Sequence, residues 1–77
     1  MSVTNKISMV LSSCGKKKNE LGEFLGLGSR QATSNKMVYE RWSADDLIKV
    51  AQFTGSKIGF TLSDGTYIEL TEDDIRK

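Results

Sequence analysis

The 77-residue chain has no proline and no histidine, one cysteine and one tryptophan. Each shortage excludes something. Without proline there is no proline-rich linker, and no internal repeat or low-complexity tract divides the sequence. One domain over residues 1–77 is therefore expected, because a core of this size supports only one marginally stable unit. Cys14 has no second cysteine for an internal disulfide, and the missing histidine removes the usual zinc spacings. A reducing, cytoplasmic setting follows as an expectation, with Cys14 as a small core residue rather than a reactive thiol. The longest clearly apolar run is Met9-Val10-Leu11, far short of the roughly 18–20 residues of a membrane span, and no signal-peptide core is found. Neither membrane insertion nor export by that route is expected.

What remains is an ordinary globular composition, 38% apolar and 27% charged. The net charge of +1 hides an asymmetry: residues 1–42 sum to +4 and residues 43–77 to −3. That division suits one face turned toward phosphates and another turned away.

Glycine punctuates the chain. From Ser2 or Thr4 as N-cap, Ile7, Val10, Leu11 and Cys14 recur at helical spacing up to Gly15. Residues 17–25 place Leu21, Phe24 and Leu25 on one face, and Gly26 stops the helix. Ser29 caps a short, mostly polar helix over residues 30–38. Tyr39 and Trp42 are expected to close the core beneath it. Ser43 caps a fourth helix over residues 44–54, with Asp45 and Asp46 at the positive end of its dipole and Trp42 placed to staple Leu47.

Beyond Gly55 the period changes from helical to alternating, predicting a β-hairpin over residues 57–71. A two-residue Asp64-Gly65 loop sets Phe60 opposite Glu69. A three-residue Ser63-Asp64-Gly65 loop pairs Phe60 with Ile68 and Ile58 with Leu70, and is preferred for its matched apolar faces. Thr71-Glu72-Asp73-Asp74 reads as a helix start with little room to continue.

Two short helices around a tight glycine turn, the second polar on its outer side, form the arrangement that lays a helix in the DNA major groove. Glu20-Leu21-Gly22-Glu23-Phe24-Leu25-Gly26-Leu27 followed by Ser29-Arg30-Gln31-Ala32-Thr33-Ser34-Asn35-Lys36 resembles the Cro and phage-repressor class of helix-turn-helix proteins, the XRE family. The resemblance extends loosely over residues 3–55. It implies a mainly α fold, a lambda-repressor-like four-helix domain with the β-hairpin appended, in which Leu21 and Leu25 are buried, Gly22 is the small residue at the helix crossing and Gly26 turns the chain. Gly28 departs from the pattern by lengthening the turn one residue and leaves Thr33 where a larger apolar residue is common.

The same resemblance implies sequence-specific binding of double-stranded DNA by a small transcriptional regulator. Arg30, Gln31, Ser34 and Asn35 are the base-contact candidates: arginine bonds guanine bidentately, and glutamine or asparagine does so with adenine. Lys16, Lys17, Lys18, Ser29 and Lys36 are the phosphate-contact candidates, with Arg41 as an addition. The three consecutive lysines oppose the dipole of the helix they precede, so helix stability does not explain them; the alternative is a solvated charge run. Such readers commonly bind paired half-sites as dimers, and Ile58, Phe60, Ile68 and Leu70 of the hairpin are the dimerisation candidates. Otherwise that face covers the helices. Nothing in the sequence reads as an enzyme, a metal site, a cofactor site or a small-molecule site. The rival function is a protein-interaction module on the same scaffold, a phage-encoded inhibitor or an antitoxin.

Overall fold

Ser2 opens the first helix by accepting the Asn5 N–H on its hydroxyl, 3.1 Å away. The computed structural model describes residues 2–76; Met1 and Lys77 of the expected domain lie outside the described residues. Four helices follow one another: α1 (Val3–Ser13), α2 (Lys18–Phe24), α3 (Arg30–Val38) and α4 (Ala44–Thr54). The antiparallel strands β1 (Ile58–Thr61) and β2 (Tyr67–Leu70) form a hairpin, and a single 3-10 turn occupies Glu72–Asp74. The architecture is mainly helical with a small two-stranded sheet. No helix among the described residues is long and apolar enough to cross a membrane.

Local chemistry sets most boundaries. Ser43 and Asp46 cap α4 reciprocally: the Ser43 hydroxyl accepts the Asp46 N–H, and the Asp46 carboxylate accepts the Ser43 N–H, each at 3.1 Å. Gly55 ends α4 in the left-handed region at φ 68°, where a Cβ is penalised. In the hairpin, Phe60 faces Ile68 and Ile58 faces Leu70, the register of the three-residue loop. The Asp64 carboxylate accepts the Thr66 N–H at 2.9 Å and Gly65 takes φ 91°.

Ile7 and Leu11 of α1, Leu21 of α2, Met37 of α3 and Val50 of α4 meet in one core, with Leu25, Trp42, Leu47 and Phe53 packed against it. A polar junction closes one end. The Trp42 indole N–H donates to the Thr4 hydroxyl at 2.9 Å, and that hydroxyl donates to the Met37 carbonyl at 2.7 Å. Glu40, at φ 51°, turns its carboxylate to the Thr4 N–H at 3.3 Å. The first turn of α1 is thus stitched to the chain leaving α3.

Two expectations about the core are corrected. Cys14 is exposed, because it is the C-cap of α1 and the chain turns away at Gly15; its thiol donates to the Leu11 carbonyl at 3.4 Å. Tyr39 is 64% exposed as the C-cap of α3, and only Trp42 of the expected pair packs on the core. Phe24 is half-exposed, its ring 5.1 Å from that of Phe53 at the rim. The hairpin covers the helices only at its root: Ile58 and Leu70 are half-buried, whereas Phe60 is 63% and Ile68 51% exposed.

Candidate nucleic-acid interface

α2 and α3 meet where Gly22 faces Thr33. A Cβ on Gly22 would run into the Thr33 hydroxyl, so glycine is what lets the two helices cross at this distance. Thr33 is buried, and its hydroxyl is satisfied by the Ser29 carbonyl at 3.3 Å. The Ser29 side chain accepts the Ala32 N–H at 3.1 Å, capping α3. With Met37 in the core one turn further on, α3 is seated by Ser29, Thr33 and Met37.

The opposite side of α3 is open to solvent. At about 100° per residue, Arg30, Gln31, Ser34 and Asn35 fall within one arc of roughly 140°. Arg30, Gln31 and Asn35 are exposed and Ser34 is half-buried. The Gln31 amide donates to the Asn35 carbonyl oxygen at 3.0 Å, holding two amide groups side by side with one acceptor and further donors unspent. Val38 lies in the middle of the same arc and is 71% exposed. It is absent from the sequence-derived set, although its spacing of four and eight residues from Ser34 and Arg30 would have found it. An exposed methyl pair there offers an apolar surface suited to a thymine methyl group.

The cationic candidates separate into two kinds. Lys16, Lys17 and Lys18 are all exposed at the start of α2, where the Lys17 N–H donates to the Glu20 carboxylate at 2.9 Å. The Lys16 ammonium lies 4.9 Å from the centre of the Phe53 ring. Lys36 is engaged inside the chain. Its ammonium is 2.7 Å from the Asp46 carboxylate, 3.0 Å from the Arg41 carbonyl and 5.7 Å from the Trp42 ring centre. It fastens the last turn of α3 to the first turn of α4, a long-range pairing that local sequence does not announce. Arg41 is exposed and stands 5.3 Å from the Tyr39 ring centre.

Burial pushes the Asp46 carboxyl up, but the bond from Lys36 and the Ser43 N–H outweigh it and hold the group below its ordinary 3.8. Asn19, Glu23, Ser29 and Arg30 line a cleft between α2 and α3, so Glu23 places an acid beside α3 as Glu20 does beside the lysines. Among the described residues, no group of three or more histidine, cysteine, aspartate or glutamate side chains is gathered to hold a metal ion. No protein-family model matches the chain, and no curated protein or solved structure matches it either.

Proposed function

We propose that this protein binds double-stranded DNA sequence-specifically as a small cytoplasmic transcriptional regulator, with the fold of the Cro and phage-repressor class and α3 in the major groove. One observation carries the reading. α3 is held by its Ser29 cap, by Thr33 and Met37 in the interior and by the Lys36–Asp46 pair, while Arg30, Gln31 and Asn35 stand exposed along one arc that also takes in half-buried Ser34. A helix anchored from behind with hydrogen-bonding side chains in front has the form that reads base edges. Lys16, Lys17, Lys18 and Ser29 supply contacts to the flanking phosphates.

A domain with one short reading helix gains affinity by presenting two of them, and the hairpin face of Ile58, Phe60, Ile68 and Leu70, exposed at Phe60 and Ile68, is the dimerisation surface in this reading. The test is a gel shift with random genomic fragments at low and raised salt. Retardation that weakens steeply as salt rises is expected, since phosphate contacts release counterions. No retardation at low salt would transfer the chain to the rival class of protein-interaction modules. Selection of bound sequences from a random duplex pool then yields the operator and the spacing of its half-sites.

A further inference from the structure

Within the outward arc of α3 two side chains are joined to each other: the Gln31 amide N–H donates to the Asn35 side-chain oxygen at 3.0 Å. Residues four apart stand one above the other on a helix, which is why the two amides meet. Both are exposed. Their footing is firm, because the Asn35 carbonyl accepts the Tyr39 N–H at 3.0 Å and the neighbouring Lys36 ties the same turn to Asp46. An amide pair at this spacing stabilises an exposed helix only slightly. Its larger consequence is orientation.

A glutamine amide left alone turns about its last bond between two orientations, which exchange the places of the amino group and the oxygen. The two are nearly identical in shape and opposite in what they offer a base. The Asn35 oxygen selects between them, since it accepts an N–H and repels a carbonyl oxygen. One Gln31 N–H is spent on that bond. The second N–H and the Gln31 oxygen stay free side by side, and they match N7 and the N6 amino group of adenine in the major groove.

We infer that Gln31 and Asn35 serve one base pair rather than two: Gln31 reads an adenine, and Asn35 is a positioning residue that fixes the Gln31 amide in the orientation adenine requires. The inference rests on the DNA reading above and divides roles within its contact set. Without the Asn35 oxygen the amide can turn to suit another base. Discrimination at this base pair therefore depends on Asn35, although Asn35 acts only through its neighbour.

Selection of duplexes bound by the wild-type protein from a random pool first identifies the preferred base pairs. Gln31→Ala, Asn35→Ala, Asn35→Asp and the double alanine variant are then compared on the selected duplex and on its single-base-pair substitutions, with circular dichroism verifying that each is folded. Gln31→Ala should lower discrimination about tenfold or more at one A·T pair. Asn35→Ala should lower it about two- to tenfold at that same pair, the worth of holding one flexible side chain in advance. The double variant should lose no more than Gln31→Ala, because the two residues act as a unit. Asn35→Asp keeps an acceptor for the Gln31 N–H, so it should retain the adenine preference while its negative charge weakens binding to every sequence. A purely structural role for Asn35 would move the urea midpoint and leave base preference alone. An Asn35→Ala protein that relaxes a different base pair, or none, overturns the inference and leaves DNA binding standing. Wild-type protein that selects no sequence and shows no salt-sensitive retardation overturns the DNA reading, and the inference with it.

Discussion

Gly22 of α2 and Thr33 of α3 fit each other at the cost of any larger residue at position 22: a methyl group there meets the Thr33 oxygen and both of its side-chain carbons. The contact sets how closely the two helices cross, and so how α3 is held out to solvent.

Gly22→Ala puts two effects in opposition. Alanine favours a helix over glycine by about 1 kcal/mol, whereas overpacking a fitted contact costs about 1–3 kcal/mol. The clash should win, lowering the urea midpoint. Adding Thr33→Ala removes the hydroxyl and the Cγ2 methyl and should recover part of the loss. A rise in midpoint for Gly22→Ala alone would show that the crossing is looser than the geometry states.

Thr4→Val keeps the shape of a side chain that both donates to the Met37 carbonyl and accepts from the Trp42 indole. It leaves the indole N–H without its partner, a penalty of about 1–3 kcal/mol. Urea unfolding followed by Trp42 fluorescence measures it. An unchanged midpoint would mean that water replaces the hydroxyl at no cost.

Asp46 predicts an acid-dependent stability. Burial works against its ionised form, but Lys36 and Ser43 prevail and hold its folded value below 3.8. A lowered folded value means that the unfolded chain binds the proton more readily. The contribution is therefore complete above about pH 4 and lost as pH falls through the folded value. Asp46→Asn should be less stable than wild type at neutral pH, with the gap closing in acid. Urea midpoints measured between pH 7 and pH 2 decide the matter; a constant gap would contradict it.

Gly59→Ala acts on the hairpin alone. A Cβ at this position strikes the Ile68 carbonyl oxygen and the Glu69 Cα, both backbone atoms that cannot step aside. Cross-strand amides of β1 and β2 should lose their protection from hydrogen exchange while those of α1 and α4 keep theirs. Retained protection in both strands would refute this.

Arg30→Ala and Lys17→Ala separate base reading from phosphate contact. The first should weaken binding to a selected operator by about 1–3 kcal/mol and relax the preference at one base pair. The second should weaken all sequences alike and lower the salt slope by about 1. Competition binding at several salt concentrations distinguishes them. Identical behaviour of the two variants would remove the division of labour.

Much of the fold was legible in the sequence because its determinants are local. Ser29 and Ser43 start α3 and α4 at the expected residues, and a left-handed Gly55 ends α4. Pairing Phe60 with Ile68 required only that apolar residues face one another across the loop. The misreadings concern residues at helix ends, where a periodic pattern no longer states direction: Cys14 continues the spacing of α1 and Tyr39 follows directly on α3, yet each is a C-cap and turns outward. Lys36 was misleading for a different reason. Its partner Asp46 is ten residues away and its charge is spent across an interhelix gap, which composition counts as surplus. The outward arc of α3 was readable from its polarity, except for Val38, whose apolar character disguised its position.

Because α3 is held by Ser29, Thr33, Lys36 and Met37 while Arg30, Gln31, Asn35 and Val38 stand exposed, most of what the helix displays can change without touching what holds it. Positions 30, 31, 34, 35 and 38 can be randomised together while Ser29, Thr33 and Met37 are kept, and most members of such a library should still fold. In the proposed reading, a change of base preference would therefore cost the scaffold little stability.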